Sequence, residues 1–511
     1  MGTNNEGYKG IYAMHKYWGK KPFNEISKFI RQYSNENDTV MDCFCGSGVT
    51  LIEAVKEGRK AIGIDLNPIA IKLAKASLTP VSINLVDKAF KSIQKTLKDK
   101  INSLYKFTYD NQETDITHII WREDIPIEVW YKIKGDKTKK IRKGLQEDIE
   151  MANNPKEEPL WYPTTDMFEN SRINVNKNQK VCDLFTKRAL VGLSLIANEI
   201  SKIEAPSVKS LFELTLTGTL SQASKLVFVI RNRKKNEDSE PKADVGSWVI
   251  GYWVPKEHFE INVWNCFENR YKRILKGVEE INSLFQNDKD INSKYKLYNC
   301  SATINPLTNE SVDYVFIDPP HSNRVLYMEQ SLMWNSWLKL DTKMQWEDEI
   351  IVSEAKERKN KDKENYTLLL GNAFSEIKRV LKKGKYFSFA FNCLDDKIWI
   401  NTLNLFTQHG FSFVDITPLE YSATSVIQDN RKNALKTDFV LTFKNDKLEN
   451  QNKIIFNEDE SKLIDSINNL LLKNPTYEVY NIMNSLFQDT LPEGYIYKVS
   501  EIVKKCSEIM D

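Results

Sequence analysis

The sequence predicts an α/β protein of Rossmann-like type, built on a mostly parallel sheet, and three observations predict it. Val40 to Pro68 reads as one βαβ half-unit, in which an apolar run, a glycine turn, a helix and a second apolar run follow one another. Tyr314 to Ile317 is a further short apolar run, and it ends on a turn locked by two prolines. Lys385 to Phe391, Phe411 to Ile416 and Asp438 to Phe443 then supply later strands, the last two as an antiparallel pair.

Within the first unit, Val40 and Met41 deliver Asp42 to a strand end, and Gly46-Ser47-Gly48 form a turn that lets a ligand approach the backbone. Thr50 opens the helix. Ala61 to Ile64 is the second strand, ending in Asp65, an acid about 20 residues after the turn, where it can accept hydrogen bonds from ribose hydroxyls. A dinucleotide site reads GxGxxG and seats a pyrophosphate, whereas this turn reads DxFxGSGxT and carries an acid. An acid repels phosphate and suits a cation. S-adenosylmethionine has an α-ammonium, a sulfonium and no phosphate, so Asp42 fits its methionine end and Asp65 its ribose.

Composition bounds the remainder. The chain has 511 residues, 41% of them hydrophobic, enough for two or three globular domains. Its net charge of +2 does not exclude a local basic groove. The seven cysteines form no CxxC pair, so neither a disulfide framework nor a metal site is expected, which suits a reducing cytoplasm. There is no signal peptide and no apolar run of about 18 residues, so a cytoplasmic protein without membrane contact is expected.

In chain order, residues 11–22, IYAMHKYWGKKP, are dense in aromatic and basic groups. Tyr17 and Trp18 either plug the core or fold over the cofactor with an aromatic face near its sulfonium. Phe23 to Tyr33 has helical spacing, and a further helix follows Pro68 to Leu78. From there to about Tyr298 the β/α alternation stops. This inserted region carries two basic runs, Lys132 to Lys143 and Arg231 to Lys235, which are either solvated surface or phosphate contacts. Trp248, Tyr252, Trp253 and Trp264 are either core or a base-stacking surface. Ala189 to Ile203 and Val208 to Ala223 read as amphipathic helices, which gives the region its own core.

The proline-locked turn is Asp318-Pro319-Pro320-His321. It lies at the carboxyl edge of its strand, where open α/β sheets bind ligands. An exocyclic amino group is a poor nucleophile because its lone pair is delocalised into the base. Asp318 and the Pro319 carbonyl, accepting its hydrogens, would turn that lone pair toward a methyl donor, and His321 can stack on an extruded base. Attack at cytosine C5 would instead need an activated cysteine, and neither Cys43 nor Cys45 lies in a Pro-Cys loop.

Together, DxFxGSGxT and the DPP-aromatic turn resemble the amino-methyltransferases of nucleic acids. More narrowly, HKYWGKKP, LFTKRALVGL (Leu184 to Leu193) and DPPHSNRVLYMEQSLMWNSWL (Asp318 to Leu338) resemble a group of bacterial and archaeal site-specific DNA methyltransferases that make N6-methyladenine or N4-methylcytosine. The resemblance implies a class I S-adenosylmethionine-dependent methyltransferase fold, with a seven-stranded, mostly parallel sheet. It implies cofactor contacts at Lys16, Tyr17, Trp18, Asp42, Phe44, Gly46, Ser47, Gly48, Thr50 and Asp65, and catalysis by Asp318, Pro319, Pro320 and His321. His321 departs from the usual tyrosine, and the zinc-binding cysteines of some relatives are absent.

The expected organisation is a cofactor part over 1–84, a target-recognition insertion over 85–300, a catalytic part over 301–445 and a helical extension over 446–511. The extension reads as helical from Glu460 to Leu472, and a polar loop from Ser422 to Lys436 is placed to touch DNA. The expected partners are double-stranded DNA and other subunits of a restriction-modification or phage-defence system. Two alternatives remain: an RNA base methyltransferase, and a non-catalytic methyltransferase-like subunit. A fused nuclease is not expected, since Asp348, Glu349 and Glu354 alone make no PD-x(n)-ExK pattern.

Overall fold

In the computed structural model, which describes residues 9–231, 243–288, 290–340, 342, 346–419, 437–446 and 452–510, Val40 and Met41 point into different halves of the core. Both are fully buried. The same alternation puts Tyr314 and Phe316 in one half and Val315 and Ile317 in the other. Continuous apolar runs of this kind are what a sheet covered on both faces requires.

Seven strands make that sheet, numbered here in chain order: β1 (Thr39–Asp42), β2 (Lys60–Asp65), β3 (Tyr295–Asn299), β4 (Val312–Ile317), β5 (Leu381–Phe391), β6 (Phe411–Pro418) and β7 (Phe439–Asn445). They pair in the order β3-β2-β1-β4-β5-β7-β6. Only β7 runs against its neighbours, so the sheet is mixed, with β6 and β7 as the antiparallel pair read from the sequence. The strand order reverses between β1 and β4, and the crevice outside their carboxyl ends is where such sheets hold ligands. Helices α1 (Phe23–Tyr33), α2 (Val49–Lys56), α3 (Pro68–Leu78), α4 (Tyr327–Trp337), α5 (Lys363–Val380) and α6 (Asp396–Gln408) flank the sheet.

The excursion after α3 ends earlier than residue 300, because Tyr295–Asn299 pairs in parallel with β2 at the sheet edge. Its residues are only half-buried or exposed, as befits an edge strand, so no apolar run announces it. Nor does the excursion keep a wholly separate core. Its helices Ile83–Ser103, Lys187–Ser201, Pro206–Ala223 and Val263–Phe285 share one apolar cluster with Val40 and Phe316. Pro206–Ala223 is not amphipathic: Leu214, Thr215, Leu216 and Thr217 are buried in succession. The threonine hydroxyls there donate to carbonyls one turn back, Thr215 to Leu211 and Thr219 to Thr215, which satisfies them without water.

The remainder of the excursion is a five-stranded sheet of Lys106–Tyr109, Gln112–Arg122, Ile125–Ile133, Lys140–Lys143 and Glu257–Ile261. Lys132, Lys134, Lys137, Lys139, Lys140 and Lys143 of the first basic run are exposed, while Arg142 is buried in a two-pronged pair with Asp148. Trp248, Tyr252 and Trp264 are core, and Trp253 is 55% exposed. Most of the second basic run and the Ser422 to Lys436 loop lie outside the described residues.

The C-terminal extension is three helices, Glu460–Lys473, Val479–Thr490 and Val499–Met510, not one. Ile467, Met483, Phe487 and Ile502 join the same apolar cluster as Phe406 and Trp399, so the extension completes a face of the central fold. Asn404 pairs reciprocally with the backbone of Ile454 at the junction.

Candidate active site

The site is built first from the two strand ends. Asp42 closes β1 with 4% exposure, and its Oδ1 accepts the Phe44 N–H at 2.9 Å. Burial pushes its carboxyl up to about 7, against the hydrogen bonds from Thr50 and Phe44, while the nearby Asp318 and Asp65 raise it further. Asp65 closes β2. Its Oδ2 accepts the Gly46 N–H and its Oδ1 the Asn67 N–H, each at 2.8 Å. Burial pushes this carboxyl up to about 6, with the two N–H groups opposing.

Between the two acids, Gly46 (φ +49°) and Gly48 (φ +84°) occupy left-handed conformations. A Cβ on Gly48 would stand 2.9 Å from the Cβ of Ala74, so α2 and α3 approach too closely for a side chain. A Cβ on Gly46 would stand 3.0 Å from the Tyr17 ring, which lies across the turn.

Tyr17 and Trp18 are both buried, and both also line the cavity over the glycine turn. Tyr17 stacks on Tyr327 at 5.9 Å, and Trp18 stacks on Trp334 at 4.7 Å. Asn67 ties the arrangement together, donating to Tyr17 Oη at 3.4 Å and to Ser331 Oγ at 2.8 Å. Lys16 points elsewhere. Its Nζ donates to the carbonyls of Trp248 and Val249 and lies 4.5 Å over the Trp248 ring. Burial and the charge of Arg270 lower Lys16 to about 8.

A cavity runs from the glycine turn to the end of β4, with about 880 Å³ of empty space when the open solvent at its mouth is included. Tyr17, Trp18, Asp42, Phe44, Gly46, Ser47, Thr50 and Asp65 line it, together with Asp318 and Pro320. Lys16, Gly48, Pro319 and His321 do not. Sequence reasoning missed other walls: Lys21, Asn67, Ser301, Ala302, Tyr327, Asp348, Glu349 and Ile350. Ser301 and Ala302 follow β3, the edge strand that carries no apolar signal. Asp348 and Glu349 stood out only as an incomplete nuclease pattern. Glu349 is buried and engaged, accepting from the Met328 N–H at 3.0 Å and pairing with Arg358 at 2.5 Å.

The turn after β4 is held by Tyr366, whose hydroxyl donates to the Pro320 carbonyl at 2.9 Å. Asp318 Oδ2 lies 2.9 Å from Lys21 Nζ, which also lies 2.6 Å from Asp438 Oδ2. Asp318 Oδ1 makes no hydrogen bond; His321 Nε2 stands 3.2 Å away but out of line. The His321 ring does not face the cavity. It packs edge-on against Phe391 at 5.4 Å, and its Nε2 lies 3.3 Å from the Ala390 carbonyl. Among the described residues no group of side chains is placed to hold a metal ion.

A mixed α/β sheet with acids at two adjacent strand ends, a glycine turn between them and a cavity over both is an arrangement suited to a nucleoside cofactor. The particular likeness is narrower. Residues 2–76 match the family model described as DNA methylase, which spans the glycine turn and Asp65 and stops well before Asp318. The type II methyltransferase M.MjaII of Methanocaldococcus jannaschii is 28% identical over 106 residues, 21% of this chain and 19% of that protein. The type II methyltransferase M1.MboII of Moraxella bovis is 47% identical over 64 residues, 12% of this chain and 25% of that protein. A ribosomal protein L11 methyltransferase of Clostridium botulinum is 42% identical over 52 residues, 10% of this chain and 17% of that protein. The chain thus spans a quarter or less of the length of each of these relatives.

Proposed function

We propose that the protein is an S-adenosylmethionine-dependent DNA methyltransferase that modifies an exocyclic amino group, adenine N6 or cytosine N4, of a base turned out of the duplex. The DNA methylase match and the type II relatives support the enzyme class. The L11 relative acts on a protein by its name, so likeness over short stretches does not select the substrate. The observation that carries the reading is the placement of Asp318 in the wall of the same cavity as Asp42 and Asp65.

The residues present fit the cofactor. Asp42 is a buried carboxylate with no cation paired to it among the described residues, which suits the methionine ammonium. Asp65 has spent one lone pair of each oxygen on backbone N–H groups and keeps others for ribose hydroxyls. Bound there, S-adenosylmethionine supplies an electrophilic methyl group on its sulfonium. Tyr17 closes the space above Gly46, and the Asp318 carboxylate in the wall of the same cavity receives an amino N–H and fixes where the nitrogen lone pair points. No covalent intermediate is required. Cys43 and Cys45 are buried, and desolvation raises both thiols well above their ordinary range, which suits packing and not nucleophilic attack.

The region between α3 and β3, with its exposed lysine run, would carry phosphate contacts and target recognition. Exchanging it with a relative's should move the methylated sequence. A restriction-modification or phage-defence setting, with partner subunits, is part of this proposal, and the names of the type II relatives agree with it. Among the described residues no helix is long and apolar enough to cross a membrane.

The test is to incubate the full chain with isotope-labelled S-adenosylmethionine and a mixture of unmethylated DNA and RNA, then digest to nucleosides for mass spectrometry. Labelled N6-methyldeoxyadenosine or N4-methyldeoxycytidine is expected, and Asp318→Ala should abolish it. Label in ribonucleosides alone would make the protein an RNA enzyme, and cofactor binding without transfer would make it a non-catalytic subunit.

A further inference from the structure

We propose that Lys21 is a positioning residue for methyl transfer: anchored by Asp438, it fixes the orientation in which the Asp318 carboxylate stands in the cavity wall to meet the amino group of the target base. The inference rests on the reading of Asp318 given above. Lys21 is 7% exposed, and its Nζ is shared between Asp318 Oδ2 at 2.9 Å and Asp438 Oδ2 at 2.6 Å. Asp438 is the fixed side of this bridge. Its Oδ1 accepts from Asn392 Nδ2 at 2.7 Å and faces Arg324 at 3.5 Å. The other oxygen of Asp318, Oδ1, is screened from solvent and makes no hydrogen bond, and His321 Nε2 stands 3.2 Å from it, so Lys21 on Oδ2 is the contact that pins the carboxylate.

The location of Lys21 gives it a second property. Tyr17, Trp18, Gly19 and Lys20, the residues just before it, line the cavity, and Gly19 (φ +71°) has no room for a side chain, since its Cβ would stand 2.6 Å from Tyr327 Oη. The segment lines the cavity and meets the β4 turn through Lys21. Positioning of the acceptor is thereby tied to the cofactor side of the site.

A double-mutant cycle on the full chain tests this, reading kcat and KM for transfer of labelled methyl to unmethylated DNA alongside cofactor affinity. Lys21→Met should lower kcat about a hundredfold, the scale of losing one preorganised polar contact. Cofactor affinity should stay within about threefold. In the Asp318→Asn background the same change should cost little more, because the two residues act as one unit. Lys21→Arg should recover part of kcat. Additive losses, or a loss of cofactor binding in step with kcat, would overturn the proposal. A crystal structure of Lys21→Met gives a readout independent of turnover: Asp318 should leave its present orientation, and an unmoved carboxylate would equally overturn it. Wild-type protein that transfers no label to DNA would remove the parent reading, and that crystal structure would then decide the role of Lys21 alone.

Discussion

Asp65 accepts the backbone N–H of Gly46 at 2.8 Å, so the acid that ends β2 also shapes the turn that follows β1. One carboxylate therefore braces the loop and, on the proposed reading, also holds the ribose. Asp65→Ala is expected to weaken S-adenosylmethionine binding by more than tenfold and to cost about 1–3 kcal/mol by leaving the Gly46 and Asn67 amides without acceptors. Calorimetric titration and urea unfolding read the two effects, and faster hydrogen exchange at Gly46 would locate the second.

Asp42 makes cofactor binding depend on pH. Its folded pKa of about 7 lies above the ordinary 3.8, so folding favours the neutral acid. The associated stability is full below about pH 4 and is lost as pH rises through about 7. Asp42→Asn keeps an Oδ1 for the Phe44 N–H but cannot ionise. The unliganded variant should melt several degrees above wild type at pH 8, with the gap closing toward pH 5. Binding of a cation needs the carboxylate, so wild-type affinity should climb through about pH 7, while the variant binds weakly at every pH.

Gly48→Ala tests the close approach of α2 to α3. The alanine would sit at φ +84° with its Cβ 2.9 Å from that of Ala74. The backbone conformation alone costs roughly 1–2 kcal/mol, and the clash adds to it. A lower denaturation midpoint with an unchanged m-value, together with lost cofactor binding, is the expected outcome. Gly135, with no atom within 4 Å of its would-be Cβ, is the control for which strain at φ +89° is the whole effect.

Arg188 holds the excursion together. Its Nε and Nη2 donate to Glu260 Oε1 at 2.9 Å and Oε2 at 2.8 Å, joining helix Lys187–Ser201 to strand Glu257–Ile261, and Trp121 and Thr186 donate to the same carboxylate. Both partners of the pair are buried. Arg188→Met should destabilise the protein by about 3–5 kcal/mol by stranding the Glu260 charge, whereas Arg188→Met with Glu260→Leu should recover most of the loss. Equilibrium unfolding of the three proteins compares them.

Much of the sheet was legible because its strands are buried on both faces and so read as apolar runs: Val40-Met41, Ala61 to Ile64, Tyr314 to Ile317. The glycine turn and its two acids were legible because few residue types can occupy those backbone conformations and strand ends. Strand β3 was not, because an edge strand of half-buried residues has no continuous apolar signature. The two tail helices after Glu460–Lys473 went unread because their apolar residues are matched to a face made by Trp399 and Phe406, far off in sequence. His321 was identified by type, but its orientation against Phe391 depends on where β5 ends, which no local pattern states. Lys21 was visible only as one of several basic residues, since its partners come from the two far strands.

The bridge from Lys21 to Asp438 spans 417 residues of chain. During synthesis the lysine is made long before the aspartate that anchors it, which emerges only with the last strand of the sheet. A chain that stops short of Asp438 cannot form this bridge. On the proposed reading such a chain would lack the anchored Asp318, so methyl transfer should wait for the last strand of the sheet. Two separately expressed fragments, divided between α3 and β3, should likewise stay silent until they are brought together.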